Sequence, residues 1–207
     1  MAGHHDITLV SWDLDGTLYD PRALRQAVAR RIARAVARGR WRSARQAGQA
    51  LRMHKATDRR VRGAGGRVDP EALSFWTGPL WTAFMADFML PCLTEVQPWD
   101  GVAELLDAIA ASGRQQVVVS DFDGADKLAA IGLEDRFSKV FSGMRIGALK
   151  PHPAVMSTVL GQLELRPEQV LHVGDRADTD EAAAASAGMH SVLVKGDFDE
   201  VRAVLGL

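Results

Sequence analysis

The chain reads as an α/β protein: a Rossmann-like parallel sheet with helices on both faces and an inserted α-helical cap. Three observations predict this. From residue 97 onward, short β-branched apolar runs alternate with helical stretches, the pattern of right-handed strand–helix–strand crossovers. One more such run, 7–12, stands near the N-terminus, separated from the others by a long helical block. Several of the runs end in polar side chains, as expected where the carboxyl ends of parallel strands carry a ligand site.

Taken in order, Ile7-Thr8-Leu9-Val10-Ser11-Trp12 is a buried strand by composition. Pro21 opens a helix, since proline is pre-shaped for a first helical position. Leu24, Val28, Ile32, Ala35 and Val36 give it one apolar face among arginines, and Gly39 is the stop. A second helix is expected over 42–57, and Gly63-Ala64-Gly65-Gly66 as a flexible loop. Asp69-Pro70-Glu71 is a helix start, with an N-cap aspartate, a proline next and an acid in the first turn. Phe75, Trp76, Trp81, Phe84 and Phe88 then predict two helices, interrupted at Gly78-Pro79 and packed by their aromatics; most of that stripe is core material.

The grammar changes after Gln97. Pro98-Trp99-Asp100-Gly101 is a turn and Val102–Ala111 a helix ended near Gly113. Strands follow at 116–120, 139–142, 170–174 and 191–194, with helices at 126–131, 153–163, 180–187 and 197–205. The expected division is a Rossmann-like core of 1–20 and 97–207, and a helical cap of 21–96.

The 207 residues, 47% of them hydrophobic, suffice for a real core. The single cysteine, Cys92, excludes an internal disulfide and fits a reducing compartment. No apolar run is long enough to span a bilayer, and Met1-Ala2-Gly3-His4-His5-Asp6 lacks the pattern of a signal peptide. A cytoplasmic protein without a membrane partner is therefore expected. The net charge of −1 hides an asymmetry: residues 21–67 carry 14 Arg and 1 Lys against 1 Asp, +14, leaving −15 for the remainder. That imbalance points to an anionic partner or to pairing between the two parts.

The first strand runs into Asp13-Leu14-Asp15-Gly16-Thr17. Positions two apart in extended chain face one side, so Asp13 and Asp15 reach one site. Unpaired buried charge is costly, so a cation is expected between them; the plainer reading is a strand-to-turn junction. The later strands end in Ser120-Asp121 and Gly174-Asp175, and Lys150 precedes the long helix. Three carboxylates, a hydroxyl and a lysine thus converge on one sheet edge. His and Cys do not cluster here, so hard oxygen ligands favour Mg²⁺.

These motifs, in this order, resemble the haloacid dehalogenase superfamily in its capped phosphatase branch. Asp13-Leu14-Asp15-Gly16-Thr17 resembles the nucleophile motif, Ser120 the hydroxyl motif, Lys150 the lysine motif, and Gly174-Asp175-Arg176-Ala177-Asp178-Thr179-Asp180 the acidic metal motif. The resemblance implies that Asp13 attacks phosphorus and forms an aspartyl phosphate. It implies that Asp15 works as acid and then base, and that Ser120, Asp121 and Lys150 hold the phosphate. Mg²⁺ would sit on Asp13, Asp175 and the Asp15 carbonyl, with Asp180, or else Asp178, as a supporting carboxylate. Asp121 stands where many relatives have asparagine, and Trp12 where phenylalanine is commoner. His152 and His172 read as structural and Asp123 as a turn residue. The implied substrate is a small phosphorylated metabolite. A phosphomutase is the nearest rival, and a non-catalytic module gripping an anion or nucleic acid with the basic cap is the rival from another class. Nucleic acid is not the expected partner. A dehalogenase is disfavoured because Asp15 is present. The basic cap carries a further expectation: some of its arginines, Arg22 and Arg25 first, read a second anionic group on the substrate.

Overall fold

Five strands pair in parallel in the order β3-β2-β1-β4-β5: β1 (Leu9–Trp12), β2 (Gln115–Ser120), β3 (Lys139–Ser142), β4 (Val170–Gly174) and β5 (His190–Leu193). The computed structural model describes residues 6–207; Met1 to His5, most of the segment read for a signal peptide, lie outside them. The central strand β1 is buried at all four positions, which is why it reads as continuous apolar chain and not as an alternation. Trp12 pairs in register with Val118 of β2 and Val173 of β4. The residues just beyond these strands therefore leave the sheet at one edge. The Asp13 amide continues the ladder, donating to the Val173 carbonyl at 2.8 Å.

Between β1 and β2 lies a helical insert: α1 (Pro21–Ala37), α2 (Trp41–Gly63), α3 (Pro70–Thr77), α4 (Pro79–Phe84) and α5 (Leu90–Leu93). Asp20 and Asp69 cap α1 and α3, accepting from Arg22 N–H and Ala72 N–H. The chain passes from α4 to α5 through a π turn over Met85–Met89, just before Pro91, which has no N–H to carry the helix on. The remaining helices are α6 (Val102–Ala111), α7 (Ala125–Ala130), α8 (Gly143–Ile146), α9 (Ala154–Leu163), α10 (Ala182–Ala187) and α11 (Asp199–Leu205).

Two expectations are corrected. Helix α2 runs on past residue 57 to Gly63 because Val61 is buried and holds the extra turns against the core. The glycine-rich stretch after it is tied down. Leu149 N–H donates to Gly66 O at 2.8 Å and Val68 N–H to Gly147 O at 2.9 Å. Gly66 has φ +84°, and a Cβ there would lie 2.9 Å from the Leu149 carbonyl oxygen, so the close approach requires glycine. The unpredicted α8 belongs to the same stitched region.

One hydrophobic cluster runs from Val10 and Trp12 across the sheet into Leu24, Val28, Trp81 and Phe84 of the insert. A second covers the opposite face, where Leu9, Val117 and Val119 pack on Val155, Met156 and Val159 of α9. No described helix is long and apolar enough to cross a membrane.

Candidate active site

The edge where β1, β2 and β4 end opens into a cavity of about 360 Å³. Asp13, Asp15, Ser120, Asp121, Lys150, Asp175 and Asp180 all line it. The structure thus brings together the predicted catalytic, metal and phosphate residues except Asp178, which is exposed and paired with its neighbour Arg176.

Lys150 is the hub. It is 1% exposed, and its Nζ lies 2.7 Å from Asp13 Oδ1, 2.6 Å from Asp180 Oδ1 and 2.9 Å from the Val119 carbonyl. Thr17 Oγ donates to the other oxygen of Asp13 at 3.3 Å. Asp180 is buried; its second oxygen accepts from the Arg176 N–H at 3.1 Å, and His172 Nε2 stands 3.5 Å from its first. The Asp121 carboxylate accepts from Lys150 N–H and from Arg62, both at 2.7 Å. It therefore braces the lysine loop, and only the backbone of Asp121 is left for a ligand.

Two glycines let the acids approach. Gly16, at φ +110°, would place a Cβ 2.4 Å from Asp175 Oδ2, and a Cβ on Gly174 would lie 2.3 Å from Asp180 Cβ. Carboxylate oxygens of Asp13, Asp175 and Asp180 consequently lie within 4.8 Å of one another. Three carboxylates against one lysine leave an excess of negative charge. The titration shifts follow first from burial and then from these neighbouring charges. Burial pushes Asp13 up to about 7 against the pull of Lys150. Burial, with Asp180 nearby, also raises Asp175. Burial opposes ionisation of Asp180, but Lys150 and His172 outweigh it and hold the carboxyl low. Burial would lower Lys150, but Asp13, Asp180 and Asp121 keep it charged.

The haloacid dehalogenase-like hydrolase family model matches residues 7–188. The chain belongs to this family.

Its curated relatives include a phosphoglycolate phosphatase of Pectobacterium atrosepticum, 39% identical over 94 residues, 44% of this chain and 40% of that protein. A glyceraldehyde 3-phosphate phosphatase of Methanopyrus kandleri is 34% identical over 70 residues, 34% of this chain and 30% of that one. The chain thus spans less than half the length of these curated relatives. Among solved structures, magnesium-bound YfnB of Bacillus subtilis superposes with a TM-score of 0.70 at 15% identity, over 97% of this chain and 99% of that one. L-2-haloacid dehalogenase of Xanthobacter autotrophicus gives 0.63 at 21%, over 97% and 83%. At such identities the likeness is one of fold.

Several residues of this haloacid dehalogenase-like site escape sequence reasoning. Lys127, buried on α7, contacts Asp15 at 2.5 Å, and Tyr19 donates to the other oxygen of that carboxylate. Burial opposes ionisation of Asp15, but these two donors hold its pKa below the usual value. A lone lysine on a six-residue helix carries no signal; Tyr19, at the end of the aspartate loop, carried a weak one. From the insert, Arg62 donates to Asp58, Asp121 and the Lys150 carbonyl. His54 also lines the cavity. Arg25 lines it too, but Arg22 is exposed and outside it. Of the residues read as structural, His172 also stands 3.5 Å from Asp180 and helps keep that carboxyl ionised. His172 bonds Ser11 at 2.9 Å, His152 accepts from Ala154 N–H, and Asp123 pairs with Arg145.

Proposed function

We propose that the chain is a Mg²⁺-dependent phosphomonoester hydrolase that acts on a small phosphorylated metabolite through an aspartyl phosphate on Asp13. The observation that carries this reading is the Asp13–Lys150 pair, a carboxylate held by a buried ammonium at the mouth of the sheet. The names of the phosphatase relatives support it. In the same reading, 21–96 is a cap over a core of 1–20 and 97–207, and the protein is cytoplasmic.

The residues present fit the metal. The donor set is oxygen only, the three carboxylates already converge, and Lys150 leaves them under-neutralised. Asp13 and Asp175, with the Asp15 carbonyl, would hold Mg²⁺. Asp180 has both oxygens engaged, by Lys150 and Arg176 N–H, and supports from behind. Mg²⁺, when bound, would draw charge off the phosphoryl oxygens and lessen their repulsion of Asp13.

Asp13 attacks phosphorus, the bond to the alcohol oxygen breaks, and the phosphoryl group rests on the carboxylate. Lys150 and the Ser120 hydroxyl hold the phosphoryl oxygens. Asp15 gives its proton to the departing oxygen, then takes one from a water that attacks phosphorus as the bond to Asp13 breaks, freeing inorganic phosphate and restoring the carboxylate. As drawn, Asp15 is ionised by Lys127 and Tyr19, ready for the second half. The first half requires it to leave Lys127 and collect a proton.

The test is a screen of phosphate esters with Mg²⁺, using Asp13→Asn as the blank. Turnover should fall at least 10³-fold (order of magnitude) in the folded variant and stop with EDTA. Normal turnover by folded Asp13→Asn protein, or full activity after metal stripping, overturns the reading.

A further inference from the structure

A second cavity, of about 470 Å³, opens beside the first and is bounded on one side by the insert. The two share Asp15, Pro21, Arg25, His54 and Phe122 on their walls. Beyond that shared wall the linings diverge. The first cavity is ringed by carboxylates, whereas the second is faced by Trp76, Trp81, Met85, Met89 and Leu24. We infer that this second cavity takes the alcohol part of the ester, and that this part is an apolar, ring-sized group. The inference rests on the phosphomonoesterase reading, and it names the substrate class for that site.

Connectivity comes first. Asp15 serves the departing oxygen and lines both cavities, so the carbon side of that oxygen extends into the second. The volume falls within the roughly 300–1,000 Å³ of ordinary ligand pockets, more than a two-carbon acid would fill.

The wall chemistry decides the class. His54 stacks on Trp81 with ring centroids 4.6 Å apart, meets Phe122 edge-on at 5.0 Å, and accepts the Trp76 indole N–H on Nδ1 at 3.1 Å. That bond fixes the neutral tautomer with its proton on Nε2. Burial holds the ring's pKa near 4, so this wall stays an uncharged aromatic plate at neutral pH. Met85 and Met89 add polarisable side chains that adapt to a ring. Arg145 and Asp123 of the second cavity are spent on each other, and Lys127 is paired with Asp15 while that carboxyl is ionised. Asp126 adds a further carboxylate and Arg25 is the remaining cation. This lining suits one apolar body better than a second anion, with Arg25 the cap arginine that lines both cavities.

The test compares kcat/KM for 1-naphthyl phosphate, 2-phosphoglycolate and acetyl phosphate with Mg²⁺. Naphthyl phosphate should exceed phosphoglycolate at least tenfold. Thr82 lines the second cavity and is exposed, so Thr82→Trp fills space without disturbing the core. It should lower the naphthyl-to-acetyl phosphate ratio tenfold or more. Hydrolysis of acetyl phosphate with phosphoglycolate preferred, or an unmoved ratio in folded Thr82→Trp, overturns the pocket assignment alone. No ester turned over above the Asp13→Asn blank overturns the phosphatase reading and the pocket with it.

Discussion

The sheet half of this molecule and its helical insert treat charge in opposite ways. At the sheet edge, Asp13, Asp180 and Lys150 are buried and within 2.7 Å of a partner. In the insert, 14 arginines stand on residues 21–67, and Arg62 is the one whose side chain bonds across to the carboxyl edge of the sheet. Arg31, Arg34, Arg38 and Arg40 instead ring a separate surface hollow. Buried charges in a low-dielectric site are obligate partners, whereas exposed ones are screened by water and salt. The large +14 therefore says less about the site than the few acids and two lysines, Lys127 and Lys150, buried beneath it.

The largest expected effect breaks the buried side of the comparison. Lys150→Met leaves Asp13 and Asp180 facing each other without a cation. Removing one partner of a buried pair costs on the order of 3–5 kcal/mol. The urea midpoint should fall accordingly, and the Lys150→Met/Asp180→Asn double variant should recover part of the loss. A Lys150→Met protein as stable as the parent would show that these charges are not coupled as drawn.

This contrast also explains what was legible. Asp13, Ser120 and Asp175 were readable because strand register carries them to one edge; sheet order and β-branched runs suffice to place them. The preference for Asp180 over Asp178 rests on the family resemblance, and the structure buries the first and exposes the second. Lys127 and His54 are not readable because packing of α7 and α2 places them, and no local pattern encodes that; Tyr19 carries only the weak signal of its place at the end of the aspartate loop. The aromatic stripe was read mainly as core. Trp76 and Trp81 are indeed buried, yet both also line a cavity. The extra turns of α2 were missed because Gly63 to Gly66 suggest an early stop, while tertiary contacts at Val61 override it.

A middle-sized effect tests the insert's own buried titratable group. The His54 pKa drops from 6.5 to about 4, chiefly through burial. Between those values the unfolded chain binds more protons than the folded one, so stability must fall as pH drops from about 6.5 and the loss is complete near pH 4. Because the ring is only partly buried by surface area, the contribution is on the order of 2 kcal/mol. His54→Gln should shrink the stability difference between pH 7 and pH 4.5 by about that amount. An unchanged difference would mean that the ring is already open to water.

The smallest effects sharpen the comparison inside the insert. Arg62 is partly buried, 24% exposed, and bonds two carboxylates and the Lys150 carbonyl. Its removal strands Asp121 with one donor, the Lys150 N–H, and loosens the loop that presents Lys150. Arg62→Gln should cost about 1–2 kcal/mol and lower kcat along with stability. Arg34 and Arg38 are exposed on the other hollow, and surface substitutions of this kind stay within about 0.5 kcal/mol. Arg34→Gln and Arg38→Gln should therefore leave urea midpoints and ester kinetics nearly unmoved. Salt separates the cases further. Repulsion among the exposed arginines is screened at high ionic strength, so any small gain from removing one should vanish there. The Arg62 loss should persist in salt, because hydrogen bonds in a partly closed site carry it. If Arg38→Gln costs as much as Arg62→Gln, the outer arginines are organised by something that the exposed hollow does not reveal. The division between working and solvated charge would then have to be redrawn.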